Sequence, residues 1–345
     1  MIPRLIVDAH EDIAYSAIAL GRDYCRSAEE TRRQEGDTPR EGTATIGLPD
    51  ALRGNVRVIF ATVYVAPASS SPKFSGSVYA TAEEADAAAR EQLAFYNQLA
   101  RDSRVSLIET RRDLEQVVSA PEPRLGLVLL MEGADPIILP DDAAGWFAAG
   151  VRIVGPAWHA TRYAGGTGAP GPLTPLGRAL MQQLEGAGFI LDTSHLAEES
   201  FFEALSLFHG TVIASHSNAR KFVPTDRQLS DEMIRALVAR DGVIGAVFFN
   251  RFIKPGASRE EVALSDVVTH IRHVCDLAGD TRHAAIGTDL DGGFGVEQTP
   301  REIDTVADLY KLGDALSAAN FGDQDIENIL GGNWLRVLRR ALPEE

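Results

Sequence analysis

The chain has 345 residues, of which 45% are hydrophobic and 24% are charged, and its formal net charge is −16. A chain of this length can bury a large core without disulfides, and its negative charge argues against binding to nucleic acid or to an anionic membrane. The two cysteines, Cys25 and Cys275, lie far apart in no metal-ligand spacing, which favours a reducing compartment over a disulfide framework.

The amino-terminal segment predicts the location of the protein. Met1 leads almost directly into the apolar run 5–7, without the basic and apolar regions of a secretory signal. No apolar stretch is long enough to span a bilayer. We therefore expect a cytoplasmic protein.

Eight short apolar and β-branched runs recur along the chain, each followed by a longer helical or loop segment. They are nearly continuous in apolar character, as parallel strands buried on both faces are. Eight such strands alternating with helices predict a (β/α)₈ TIM barrel. An open doubly wound sheet is the alternative, but no glycine-rich phosphate-binding motif follows the first run. The runs are Leu5–Asp8, Val56–Val65, Leu125–Met131, Val151–Pro156, Phe189–Thr193, Thr211–Ser215, Val243–Phe249 and Ala284–Thr288.

The connections between these runs predict one domain that spans 1–345. The polar, glycine-bearing segment 21–48 after the first strand is predicted to be a long loop, at a position where barrel enzymes carry lids. Capping residues predict helices elsewhere, as where Thr81 and Glu84 open a helix that ends near Leu99. Similar starts predict helices at 176–184, 233–239 and 262–277.

Ionisable residues follow five of the eight predicted strands. The carboxyl ends of barrel strands meet on one face, where the active sites of such barrels lie, so these side chains should converge. They are His10 and Asp12 after the first strand, Glu132 after the third, His195 after the fifth, His216 after the sixth, and Asp289 and Asp291 after the eighth.

Imidazoles and carboxylates crowded into one water-poor site need a cation to compensate for the loss of hydration. Neutral histidine nitrogen and carboxylate oxygen together suit Zn²⁺, with Mn²⁺ or Co²⁺ as substitutes. Each residue alone also has a structural interpretation: Glu132 could cap a helix, and Asp289 could brace a glycine turn. Their joint position on one face favours a metal site.

The motifs His10-x-Asp12, Glu132-Gly133, DTSH, SHS and GTDLDG together resemble the renal (membrane) dipeptidase family, a binuclear zinc peptidase family of the amidohydrolase superfamily. The resemblance extends over nearly the whole chain and implies a barrel of the metallo-dependent hydrolase type. The roles that it implies are one metal on His10 and Asp12, a second metal on His195 and His216, Glu132 as the bridge between them, Asp289 as the acid–base residue, and Arg227 as the receptor of the substrate carboxylate.

Two departures from the family pattern bear on the site. The first motif of the family reads His-Asn-Asp, whereas Glu11 is the middle residue here. The family also places a substrate-binding histidine after the fourth strand. A gapless match puts Trp158 in that position and His159 one residue later, so His159 can take the role only if the local backbone brings it into the site.

The resemblance therefore implies a zinc-dependent dipeptidase, with a water shared by two Zn²⁺ as nucleophile and tolerance of a D-residue on the carboxyl side. The expected partners are a small peptide substrate and a second copy of the chain in a homodimer. One alternative keeps the metals but changes the substrate to an N-acyl amino acid, a lactam or a modified peptide. Another is a barrel that binds without catalysis, against which the complete ligand set argues.

Overall fold

The computed structural model describes residues 4–68, 76 and 78–345. Six parallel strands lie side by side in the order β1 to β6, and β7 pairs with β8. Single bridges join Ala214, just after β6, to β7 and join β1 to Leu290, just after β8, so the sheet closes into a barrel. The (β/α)₈ prediction is confirmed. The strands are β1 (Ile6–Glu11), β2 (Val56–Tyr64), β3 (Leu125–Glu132), β4 (Val151–Gly155), β5 (Ile190–Asp192), β6 (Val212–Ile213), β7 (Ile244–Ala246) and β8 (Ala284–Ile286).

Helices occupy most of the connections between these strands. The α-helices are Ile13–Tyr15, Ala28–Glu35, Leu48–Arg53, Ala82–Leu99, Arg111–Val118, Ala143–Ala148, Pro175–Ala187, Glu198–Leu207, Asp231–Ala239, Asn250–Ile253, Leu264–Ala278, Lys311–Ala318, Asp323–Glu327 and Asn333–Ala341. Short 3₁₀ turns lie at Pro140–Asp142, Arg259–Glu261, Val296–Gln298 and Val306–Tyr310, and π-helical turns at Ser16–Leu20 and Asn328–Gly332. No helix among these described segments is long and apolar enough to cross a membrane.

Alternation along the strands separates two hydrophobic layers. In β2, Val58 and Phe60 pack in one cluster, while Ile59 and Ala61 belong to the other. Trp334, in the last helix, lies edge-on against Phe60 with ring centroids 5.1 Å apart and donates its indole N–H to the carbonyl of Ile286. The amide of Asn333 donates to the carbonyls of Thr281 and Ala284 at the start of β8. The last helix therefore covers the amino-terminal end of the barrel, which leaves the carboxyl ends of the strands for the site.

The predicted long loop at 21–48 is wrong in part, since the segment contains the helix Ala28–Glu35. Ser27 and Glu30 form a capping box that satisfies the first amide groups of this helix. Arg22 then ties the segment to the barrel through an ion pair with Asp291, at 3.0 Å between Nη1 and Oδ2. The segment is anchored against the turn that follows β8.

Three further strand pairings were not predicted. Val105–Leu107 extends the sheet beside β3, and a short parallel pair joins Ala66–Pro67 to Val78–Tyr79. After β4, an antiparallel hairpin joins Ala164–Gly166 to Ala169–Leu173. The tip of this hairpin lies beside His195, which follows β5.

Candidate metal centre and active site

The side chains predicted at the strand ends come together around Glu132, the last residue of β3. Its Oε2 lies 3.6 Å from His10 Nε2, and its Oε1 lies 3.3 Å from the Nε2 atoms of both His195 and His216. Asp12 Oδ1 lies 4.0 Å from His10 Nε2 on the side of β1. The two oxygens of Glu132 therefore face two different groups of side chains.

The end of β1 directs His10 and Asp12 towards this cluster. Residues two apart on a strand share a face, so the intervening Glu11 points away from them. Glu11 is buried beside Tyr24, whose hydroxyl donates to Glu11 Oε2 at 3.4 Å, and burial raises the pKa of this carboxyl well above its usual range. The hydroxyl of Thr62, on β2, donates to Asp12 Oδ1. The side chain of Glu11, where the chain departs from the family motif, therefore points away from the cluster and does not take part in it.

A hydrogen-bonded chain orients His216. The Ser215 hydroxyl donates to the carboxylate of Asp192, so its oxygen accepts from His216 Nδ1 at 2.8 Å. The proton of the imidazole is therefore on Nδ1, and the lone pair on Nε2 faces Glu132. Carboxylates or hydroxyls in this position commonly hold metal-binding histidines in the right tautomer.

His195 lies in a strained turn after β5, with φ at +67°. Its Nδ1 lies 3.0 Å from the Thr167 hydroxyl at the tip of the hairpin 164–173. Its Nε2 lies 3.0 Å from the Nε2 of His216. Left-handed backbone in a residue with a side chain costs free energy, and it occurs preferentially where function requires it.

Asp289 shares this backbone conformation, with φ at +63° in the turn after β8. Its Oδ1 lies 3.9 Å from His10 Nε2. A Cβ at Gly292 would approach Asp289 Oδ1 to 2.1 Å, so the turn requires glycine there to leave room for the carboxylate. Burial, with Asp12 and Glu132 nearby, raises the pKa of Asp289 well above its usual range.

The pKa values of the three histidines are also shifted, in directions that favour a bound cation. Burial lowers the pKa of His10, but Glu132, Asp12 and Asp289 together raise it to about 10. Burial and neighbouring positive groups lower the pKa of His195 and His216 well below the usual range, so both imidazoles are neutral. The cluster therefore attracts positive charge on its carboxylate side and offers lone pairs on its histidine side.

The donor set fits two divalent cations. His10 Nε2 and Glu132 Oε1 are both buried without a hydrogen-bond partner, which is costly unless another group satisfies them. His10, Asp12 and Glu132 form one group of ligand atoms within 4.8 Å of one another, and Glu132, His195 and His216 form a second. Nitrogen and carboxylate ligands in groups of three suit Zn²⁺ with an open coordination position.

The cluster forms one wall of a cavity of about 280 Å³. Arg227 lies in this cavity and is only 3% exposed. It donates to the Ser217 hydroxyl and the His216 carbonyl, but its Nε has no partner. Among the residues that the structure describes, no carboxylate forms an ion pair with Arg227, and a buried guanidinium of this kind marks a place for an anionic group of a ligand.

Trp158 and His159 both line the cavity. The Trp158 ring lies beside His195, with centroids 6.0 Å apart, and His159 Nδ1 lies 2.8 Å from the carbonyl of Thr167. The local backbone therefore brings His159 to the site even though it follows Trp158. Asp291, in contrast, lies outside the cavity, where it is bound by Arg22 and Thr45.

Sequence reasoning missed several residues of this site. Thr167 was hidden in a glycine-rich stretch, and Asp192 and Ser215 were recognised only as parts of the DTSH and SHS motifs. The remaining missed residues are aromatic and line the cavity: Tyr15, Tyr64, Phe249 and Phe252. Their signal is weak, because aromatic residues near strand ends are more often part of a core.

A closed barrel with a histidine–carboxylate cluster at the carboxyl ends of its strands defines a metal-dependent hydrolase of the amidohydrolase type. The sequence model of the membrane dipeptidase family, peptidase family M19, matches residues 3–343, and the chain belongs to this family. It is therefore a metallopeptidase that hydrolyses the peptide bond of dipeptides.

The chain is also similar to individual proteins and solved structures. A Klebsiella pneumoniae protein, described as an uncharacterized protein in the pqqA 5′ region, is 32% identical over 264 residues, which cover 73% of this chain and 95% of that relative. The crystal structure of dipeptidase AC, a metallopeptidase of family M19, is 24% identical and has a TM-score of 0.82 over 99% of both chains. A Rhodobacter sphaeroides metallopeptidase bound to a phosphinate mimic of L-Ala-D-Ala is 23% identical, with a TM-score of 0.81 over 98% of this chain and 99% of that one. These structural likenesses concern the fold.

Proposed function

We propose that this dipeptidase holds two Zn²⁺ ions and acts on dipeptides whose free carboxyl terminus binds Arg227. The observation that carries the proposal is the position of Arg227, which is a buried cation with an unpartnered Nε in the same cavity as the histidine–carboxylate cluster. A planar guanidinium binds a carboxylate in a fixed orientation, so the adjacent peptide bond would be presented to the cluster.

In this proposal His10 and Asp12 would hold one ion, His195 and His216 would hold the other, and Glu132 would be a ligand of both. Divalent cations in these positions would polarise the scissile carbonyl and lower the pKa of a water molecule. Zn²⁺ is the proposed ion because the ligand set combines neutral imidazole with carboxylate, and Mn²⁺ or Co²⁺ are the substitutes.

Asp289 is the proposed carrier of the proton. Its carboxylate takes a proton from the attacking water and delivers it to the nitrogen of the departing amine. The raised pKa of Asp289 supports this role because burial and the carboxylates of Asp12 and Glu132 make the carboxyl a better base. Arg227 and bound cations act in the opposite direction and keep it ionised before the reaction.

The proposed substrates are small. A cavity of about 280 Å³ lies at the lower end of the range for ligand pockets and suits a dipeptide. The metallopeptidase of Rhodobacter sphaeroides binds a mimic of L-Ala-D-Ala, and we extend to this chain the acceptance of a D-residue on the carboxyl side.

Replacement of Arg227 by lysine is expected to raise KM for dipeptides by about 10–100-fold, because an ammonium group cannot reproduce the two-pronged contact of a guanidinium. Steady-state kinetics on one dipeptide measures the change. Arg220→Lys is the matched control, since Arg220 pairs with Glu198 and does not line the cavity. An unchanged KM in Arg227→Lys would remove Arg227 from substrate binding.

The proposed function is tested by hydrolysis of a panel of L,L- and L,D-dipeptides by zinc-loaded protein, measured as released amino acid. A sample treated with chelator serves as the control. Release that depends on zinc is the expected result. If protein that holds two Zn²⁺ ions releases nothing, the dipeptide assignment is wrong and the substrate is another small amide, such as an N-acyl amino acid or a lactam.

We also propose a cytoplasmic homodimer. Cys25 and Cys275 are both unpaired, as expected in a reducing compartment, and the dimer rests on the resemblance to the family. Light scattering after gel filtration measures the mass in solution, and a monomer would exclude the dimer.

A further inference from the structure

The tip of the hairpin between Ala164–Gly166 and Ala169–Leu173 touches three separate parts of the active site. The Thr167 hydroxyl lies 3.0 Å from His195 Nδ1, and the Thr167 carbonyl lies 2.8 Å from His159 Nδ1. The next residue, Gly168, donates its N–H to the carboxylate of Asp226 at 2.7 Å, directly before Arg227 in the chain. One two-residue turn thus joins a candidate metal ligand to His159 and to the residue that precedes Arg227.

The contact with His195 is made at Nδ1, the ring nitrogen that faces away from the cluster, and it affects which ring nitrogen carries the proton. Metal binding through Nε2 of His195 requires the proton of the imidazole to be on Nδ1, and the Thr167 hydroxyl lies 3.0 Å from that nitrogen. The hydroxyl oxygen can accept that proton, which leaves the lone pair on Nε2 directed towards Glu132. Partners of this kind on the far nitrogen orient metal-binding histidines.

The contact with His159 fixes the second imidazole. A carbonyl accepts only, so His159 Nδ1 carries the proton and donates it to Thr167. Nε2 is then the ring nitrogen available to the cavity that His159 lines. This contact comes from the main chain of Thr167, whereas the contact with His195 comes from its side chain.

We propose that Thr167 is a positioning residue: its hydroxyl holds His195 in the orientation that binds a divalent cation, and its carbonyl holds His159 at the wall of the substrate cavity. The inference rests on the proposed two-metal function. The two contacts can be tested separately, because a substitution of the side chain removes the contact with His195 and keeps the main-chain contact with His159.

Titration of metal-free protein with Zn²⁺ against a chromophoric chelator tests the proposal without any assay of activity. In Thr167→Val we expect the ion at the His195–His216 site to bind about 10–100-fold more weakly, while the ion at the His10–Asp12 site keeps its affinity. Thr167→Ser, which restores the hydroxyl, should bind both ions within about threefold of the unmodified protein.

A matched control separates positioning from general loss of structure. Thr161 lies in the same connection, and its hydroxyl donates to the Pro156 carbonyl, away from His195. Thr161→Val should lower the melting temperature of the metal-free protein and leave both zinc affinities unchanged. At saturating zinc, KM of Thr167→Val should stay within about threefold, since the carbonyl that holds His159 remains.

The outcomes distinguish the proposed function from the proposed role of Thr167. Unmodified protein that binds no zinc would remove the proposed function itself. Unmodified protein that binds two ions, with Thr167→Val binding both equally well, would overturn the role of Thr167 and leave the function in place. Equal weakening in Thr161→Val and Thr167→Val would also overturn it, because the effect would then come from the connection as a whole.

Discussion

Asp289→Asn is expected to lower kcat for dipeptide hydrolysis by about 10³-fold, within the usual range for the loss of a general acid–base group. Asparagine has nearly the same shape, so it fits the space left by Gly292 and keeps its place near His10. It cannot accept a proton from water at neutral pH or return one to the departing amine. Steady-state kinetics with zinc-loaded protein measures the change, and KM should move little because Arg227 is untouched.

Metal content decides between two roles of Asp289. The carboxylate belongs to neither ligand group that contains Glu132, although it forms a third group with His10 and His216. We expect the Asn variant to keep two Zn²⁺ ions per chain. Loss of an ion together with activity would make Asp289 a ligand instead of a proton carrier.

The neighbouring Asp291 supplies a matched control for Asp289→Asn. It lies in the same turn and has the same left-handed backbone, but its carboxylate is bound by Arg22 and Thr45 outside the cavity. Asp291→Asn breaks a buried ion pair, so it should lower the melting temperature by several degrees. The folded variant should keep kcat within about tenfold of the unmodified enzyme, because proton transfer by the Asp289 carboxylate is unaffected.

The barrel was predictable because parallel strands buried on both faces leave continuous apolar runs in the sequence. All eight predicted strands are present, although those from β5 onward shrink to two or three residues. The hairpin that carries Thr167 was missed since its strands, Ala164–Gly166 and Ala169–Leu173, are rich in glycine and proline and show no apolar alternation. Polar composition likewise concealed the helix Ala28–Glu35 inside the predicted loop.

The positions of the candidate site residues follow from the same logic. Residues at the ends of barrel strands must meet, so the convergence of His10, Glu132 and His216 on one face was predictable from topology. The hydrogen-bond partners that orient these side chains could not be predicted in the same way. The chain from Asp192 through Ser215 to His216 depends on the register between β5 and β6, and the contact of Thr167 with His195 depends on where the hairpin folds. Hydrogen bonds between distant segments leave no local pattern in the sequence.

Glu132→Gln is expected to abolish the binding of two Zn²⁺ ions and to lower activity by at least about 10³-fold. The carboxylate presents one oxygen to His10 and the other to His195 and His216, whereas an amide presents one oxygen and one N–H donor. On one side of the cluster the N–H groups of the amide would face the nitrogen lone pairs of the histidines and would compete with a cation for them. It would also remove the negative charge that the two cations share.

The melting temperature gives a readout of this change that does not depend on activity. A ligand that binds only the folded state stabilises it by RT ln(1 + [L]/Kd), so zinc should raise the melting temperature of the unmodified protein. We expect that increase to be lost in Glu132→Gln. The metal-free variant itself should melt somewhat lower than the metal-free unmodified protein, because the change removes the carboxylate that pairs with His10, so the increase caused by zinc is measured against each protein's own metal-free sample.

Asp135→Asn is the control for Glu132→Gln, since Asp135 is a buried carboxylate three residues along the same connection. It accepts hydrogen bonds from Tyr79 and Arg162 and does not line the cavity. Its loss should lower the melting temperature but preserve the increase caused by zinc. If Glu132→Gln also kept that increase and two bound ions, Glu132 would not join the two ligand groups, and each ion would have to be held by its own pair, His10 with Asp12 and His195 with His216. Two ligands per ion are too few for tight binding of Zn²⁺, so such a result would mean that other side chains complete the ligand set and would contradict the role of Glu132 as the bridge.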